Sequence, residues 1–168
     1  KNEAMGRLPG TDGKAKMSKS LGNVINLADS PEEVKKKVMG MYTDPKHLRV
    51  EDPGNTKDNP VFIYLDVFSN EGHFEKYWPE YKNLEELKAH YERGGLGDVK
   101  VKRFLNQVLE ETLQPIREKR KFYEARPDEV YRILQEGSIK ARRKAAAVLK
   151  RVRQAMGLEY FDQGEARQ

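Results

Sequence analysis

Cysteine is absent from the 168 residues. That removes disulfides, thiolate metal ligands and thiol catalysis together, and it makes the cytoplasm the expected location. No stretch approaches the roughly 18 consecutive apolar residues of a membrane span, and no signal-peptide core opens the chain, so no membrane association is expected. Histidine is scarce. His47, His73 and His90 lie too far apart to share a helical turn, so each is expected to sit at the surface or cap a helix, and no metal site is expected. The single tryptophan, Trp78 in Tyr77-Trp78-Pro79, is read as a packing residue.

Charge is what the chain has in quantity. Charged residues make up 35% and hydrophobic residues 37%, which describes a well-solvated globular chain with a modest core and, at this length, one domain with at most an appended segment. The net charge of +5 says little until its position is noted. From Ser138 to Arg153 there are seven basic side chains and no acidic one, among them Lys140, Arg143, Lys144, Lys150 and Arg151. Helical spacing puts most of these on or near one face, with Ile139, Ala146, Leu149 and Val152 turned toward a core. Such a concentration suits contact with a phosphate backbone. The mixed-sign cluster Arg117–Lys121 is the fallback RNA path.

The pattern is helical nearly throughout. Ser30-Pro31-Glu32-Glu33 spells a capping box with proline at the first helical position, and Val34, Val38 and Met41 share the face that follows. Asn59-Pro60 opens an apolar run to Phe68, read as a buried helix despite its β-branched and aromatic content. Asn83 starts a short helix that stops at Gly94-Gly95. Asp98 is expected to cap the longest helix, whose stripe runs from Val101 to Ile116 and which Pro115 should kink. A further helix from Pro127 is expected to break near Gly137-Ser138 and restart through Met156, with Tyr160 and Phe161 returning to the core. The expected fold class is all-α, a helical bundle preceded by a flexible N-terminal loop.

That loop is the most informative stretch. Gly13-Lys14-Ala15-Lys16-Met17-Ser18-Lys19-Ser20-Leu21-Gly22-Asn23 combines mobile backbone, hydroxyl donors and three lysines, a composition suited to closing on a polyphosphate. Apart from Met17 and Leu21 it lacks apolar anchors, so it is expected to be open when empty.

The five-residue word Lys16-Met17-Ser18-Lys19-Ser20 resembles the nucleotide loop of class I aminoacyl-tRNA synthetases. Its flanks Pro9-Gly10-Thr11-Asp12-Gly13, Met41-Tyr42-Thr43-Asp44-Pro45, Asp52-Pro53-Gly54-Asn55 and Asn59-Pro60-Val61-Phe62 resemble the bacterial tryptophanyl branch, as do Gly97–Lys102 and Pro115–Arg120. The resemblance implies ATP-dependent activation of L-tryptophan and its transfer to tRNA-Trp. Lys16 and Lys19 would be catalytic, Lys16, Met17, Ser18, Lys19 and Ser20 would bind ATP, and Mg2+ would accompany the nucleotide. Lys140, Arg143, Lys144, Lys150 and Arg151 would meet tRNA, in a cytoplasmic homodimer. The family's His-rich turn and its tryptophan pocket are not found here. The chain therefore reads as a C-terminal half beginning at Lys1 rather than Met: residues 1–29 ending a catalytic domain, 30–161 a helical tRNA-binding domain, 162–168 a tail. Alone it is expected to be inactive. A tyrosyl-tRNA synthetase and a non-catalytic helical RNA-binding module are the alternatives.

Overall fold

A computed structural model of the chain describes residues 7–158. The chain divides into two units, residues 1–120 and 121–168. Among the described residues the regular secondary structure is α-helical, apart from one isolated antiparallel bridge between Pro9 and Lys16 and a 3-10 turn at Lys19–Leu21. Residues 162–168, and the expected return of Tyr160 and Phe161, lie outside the described range.

The first unit forms where local signals and apolar periodicity agree. Helix α1, Pro31–Met39, starts in the expected capping box: the Ser30 hydroxyl accepts from the Glu33 N–H, and the Glu33 carboxylate accepts from the Ser30 N–H. It buries Val34 and Val38. Helix α2, Pro60–Phe68, is capped by Asn59 and buries Val61, Phe62, Tyr64 and Leu65. A run apolar on every side is what a helix inside a core needs. Helix α3, Glu71–Tyr77, had no separate signal in the sequence. Its cap is a variant in which Asn70 and His73 exchange hydrogen bonds, so His73 does cap a helix as expected. Helix α4, Leu84–Arg93, ends at Gly94, whose φ of +88° excludes a side chain at low cost.

Helix α5, Asp98–Glu124, supplies the central stripe of Val101, Phe104, Leu105, Val108, Leu109 and Leu113. Phe104 meets Phe74 at 4.7 Å and Trp78 at 5.5 Å between ring centroids, which gives Trp78 the packing role expected of it. The helix continues through Pro115.

Three local expectations are corrected. Asp98 is the first residue of α5, but its carboxylate accepts from the Tyr91 hydroxyl at 2.6 Å and lies 3.3 Å from His47 Nδ1. The tertiary partner takes the group that local capping would have used. His47 is not at the surface: it is buried, edge-on to Tyr91 at 4.7 Å. A single helix α6, Pro127–Ala155, replaces the two expected about Gly137. One glycine costs a helix about 1 kcal/mol, less than its long flanks of good helix formers return.

Helix α6 also buries none of its side chains, and Ile139, Leu149 and Val152 are about half exposed. The expectation that they face a core is therefore not met among the described residues. Periodicity shows that a face is apolar, and does not show what covers it.

Candidate functional site

The lysine-rich loop is built from the backbone outward. Gly10 donates to the Ala15 carbonyl at 2.7 Å and Gly13 donates to the Gly10 carbonyl at 3.0 Å, closing a tight turn. Gly13 has φ +68°, and a Cβ there would sit 2.9 Å from the Tyr42 ring, so glycine is required twice over. The base of the turn is fixed to the helices. The Tyr64 hydroxyl of α2 donates to the Pro9 carbonyl at 2.8 Å, and the Tyr42 N–H donates to the Thr11 carbonyl at 2.9 Å. Burial, with the negative Asp12 nearby, pushes the Tyr64 phenol up to about 12, so it remains a donor at all ordinary pH.

Lys16, Met17, Ser18, Lys19 and Ser20 fall together on the bridge and the short 3-10 turn that follows it. Met17 is half-buried and packs against the core, the anchoring role its chemistry suggests. Lys16, Lys19 and Ser20 are exposed or partly so, as is Lys14. Among the described residues none of these three lysines forms an ion pair. The Ser18 and Ser20 hydroxyls touch each other at 2.8 Å. The turn closes at Gly22, φ +67°. The arrangement presents uncompensated cations and hydroxyl donors on a backbone tied down at its base, which suits a phosphate chain.

Two residues to which the sequence assigned no role organise this loop. Asn23 is buried in an otherwise solvated segment. Its Oδ1 accepts from the Ser18 N–H at 2.7 Å, and its Nδ2 donates to the Lys16 carbonyl at 3.2 Å and to Asp12 Oδ2 at 3.1 Å. Asp12 Oδ1 accepts from the Lys14 N–H at 3.3 Å. Desolvation works to raise the Asp12 pKa, but the Asn23 amide and the loop N–H groups outweigh it and hold the carboxyl below its usual range. An asparagine after a glycine is an ordinary turn signal, so nothing local marked it out.

Residues 4–114 match the family described as tRNA synthetases class I (W and Y). The chain belongs to the class I tRNA synthetases. Within that family it is 58% identical to the tryptophan–tRNA ligase of Clostridium longisporum over 158 residues, covering 94% of this chain and 44% of the relative. Against the tryptophan–tRNA ligase of Streptococcus pyogenes serotype M3 it is 54% identical over 160 residues, with 95% and 45% covered. The tryptophanyl-tRNA synthetase of Campylobacter jejuni, solved with ADP and tryptophan, superposes with a TM-score of 0.70 at 30% identity over 94% of this chain and 45% of that one. This class I synthetase chain thus spans a little under half the length of the curated relatives it matches.

Lys140, Arg143, Lys144, Lys150 and Arg151 all lie exposed on α6, in the second unit. At 100° per residue, Lys140, Lys144 and Arg151 fall within about 40° of one another and Arg143 and Lys150 lie beside them, so the five form one basic arc. Bordering that arc at Lys144, α6 carries an apolar strip of Ala141, Ala145, Val148, Leu149 and Val152. No helix among the described residues is long and apolar enough to cross a membrane.

Proposed function

We propose that this chain supplies the ATP-phosphate loop and the anticodon-binding helical part of a tryptophan–tRNA ligase. The observation that carries the proposal is the turn at Lys16–Ser20: solvent-facing lysines without ion-pair partners among the described residues, on a backbone clamped to the core, in a chain 58% identical to such a ligase. In the reaction a tryptophan carboxylate oxygen forms a bond to the α-phosphorus of ATP. The bond from that phosphorus to the bridging oxygen breaks, and pyrophosphate departs with the electron pair. Negative charge grows on the leaving oxygens, and in this reading Lys16 and Lys19 stabilise it. The Ser18 and Ser20 hydroxyls complete the donor set. Mg2+ arrives with ATP as part of the substrate.

The remaining partners follow from the same reading. The basic arc on α6 meets the tRNA-Trp backbone, residues 1–29 end a catalytic domain whose remainder holds tryptophan and the nucleoside, and the working form is a cytoplasmic homodimer. Phosphate contacts of this kind position the RNA without reading it.

The test is single-turnover adenylate formation by the full-length ligase. Lys16→Ala and Lys19→Ala should each lower the rate by about 100-fold or more, with tryptophan affinity nearly unchanged, because the lost charge acts on the transition state. Unchanged activation in both variants refutes the assignment. The 168-residue chain alone should give no tryptophan-dependent ATP–pyrophosphate exchange, since a phosphate loop without its facing pocket does not position the reactants.

A further inference from the structure

We infer that Asn23 is a positioning residue for the phosphate loop, and that it acts by occupying Asp12 as well as by holding the backbone. The inference rests on the phosphate-binding reading of Lys16 and Lys19. Asn23 spans the two ends of Lys16-Met17-Ser18, donating to the carbonyl of the first and accepting from the N–H of the last. The frame from which the Lys16 and Lys19 side chains leave is thereby set by one planar amide. The same bond engages the Ser18 N–H, so the phosphate must be taken by the lysines, the hydroxyls and the other N–H groups of the turn.

The second half concerns charge. Asp12 is the acidic side chain built into this turn, next to three lysines that have no ion-pair partner among the described residues. Its Oδ2 is held by Asn23 Nδ2, and its Oδ1 by the Lys14 N–H. Held in this orientation, the carboxylate forms no ion pair with Lys16 or Lys19 among the described residues, and they stay available to an anion. Only asparagine has the acceptor and the two donors in this reach. Aspartate lacks the donors and would set a second carboxylate beside Asp12. Glutamine is one methylene too long for a space in which a Cβ at Gly10 would already overlap the Asn23 amide.

The experiment titrates the full-length ligase with inorganic pyrophosphate, following the amide resonances of Ser18, Lys19 and Ser20, with thermal unfolding measured alongside. Asn23→Ala should weaken pyrophosphate about tenfold, the equivalent of one well-made hydrogen bond. Asn23→Asp should weaken it further, because two carboxylates then face each other. The exchanged pair Asp12→Asn with Asn23→Asp restores a donor facing an acceptor at unchanged net charge but not the bond to the Lys16 carbonyl, so it should bind more tightly than Asn23→Asp alone and stay below wild type. A purely structural role would make affinity follow the melting temperature across wild type and the variants. Wild-type saturation with unaltered affinity in Asn23→Ala, or no rescue by the exchanged pair, overturns this inference alone. A wild type that pyrophosphate does not perturb overturns the phosphate reading, and the inference falls with it.

Discussion

Gly54→Ala is the sharpest test of how this core is built. Gly54 sits in the loop before α2, and a Cβ there would lie 2.1, 2.6 and 2.6 Å from three atoms of the Tyr91 ring. Ordinary carbon contacts begin near about 3.5 Å, so ring or loop must move by more than about 1 Å. Neither has room. Tyr91 is wholly buried, with Phe62 and His47 each 4.7 Å from its centroid, and its hydroxyl is held by Asp98 at 2.6 Å. The loop is joined to the same residue by the Gly54 N–H, which donates to the Tyr91 carbonyl at 3.1 Å. Overpacking of a tight core costs about 1–3 kcal/mol. Displacing a hydrogen bond to a charged group adds about 1.5–3 kcal/mol, so the expected loss is about 2.5–6 kcal/mol, a large part of a typical domain's stability.

Urea unfolding at neutral pH, followed by circular dichroism, reads this directly. The decisive control is Tyr91→Ala. In that background the ring is gone, so adding Gly54→Ala should cost less than about 1 kcal/mol. A single Gly54→Ala variant within about 1 kcal/mol of wild type would show that the ring has freedom which its neighbours deny it, and would refute the reasoning.

Other outcomes follow from the same geometry. Gly137→Ala, in mid-α6 with nothing within 4 Å of the added methyl, should stabilise the helix by about 0.5–1 kcal/mol, seen as a higher helical melting midpoint; destabilisation would mean that α6 breaks there after all. Burial works to raise the Asp29 carboxyl, but hydrogen bonds from Lys37 and Asn26 prevail and hold it below 3.8. Its folded pKa lies below its unfolded one, so its contribution is complete at neutral pH and disappears as pH falls below 3.8 through the folded value. Asp29→Asn should therefore flatten the acid limb of a stability–pH curve, and an unchanged limb would exclude it as a source. If α6 follows the tRNA backbone, Arg143→Ala with Lys144→Ala should lower the log–log salt slope of tRNA affinity by about 0.7–0.9 for each phosphate no longer neutralised. An unchanged slope moves the RNA path elsewhere.

Local sequence was enough for the helical class, the Ser30, Asn59 and Asn83 starts, the buried face of α5 and the loop at Lys16–Ser20. Each of these is written in neighbouring residues: a capping side chain, a period near 3.6, or a short word whose residues touch one another once the chain turns. The rest waited on folding. Asp98 had the address of a helix cap, but a buried tyrosine and histidine claimed its carboxylate. His47 had no sign of burial because the ring it packs against, Tyr91, comes from α4 and the carboxylate it faces, Asp98, from α5. Asn23 looked like turn punctuation until Asp12, eleven residues earlier, came within 3.1 Å of its amide. A polar side chain chooses among partners that only folding brings near, and the choice that satisfies the most buried groups prevails over the nearest one in the chain.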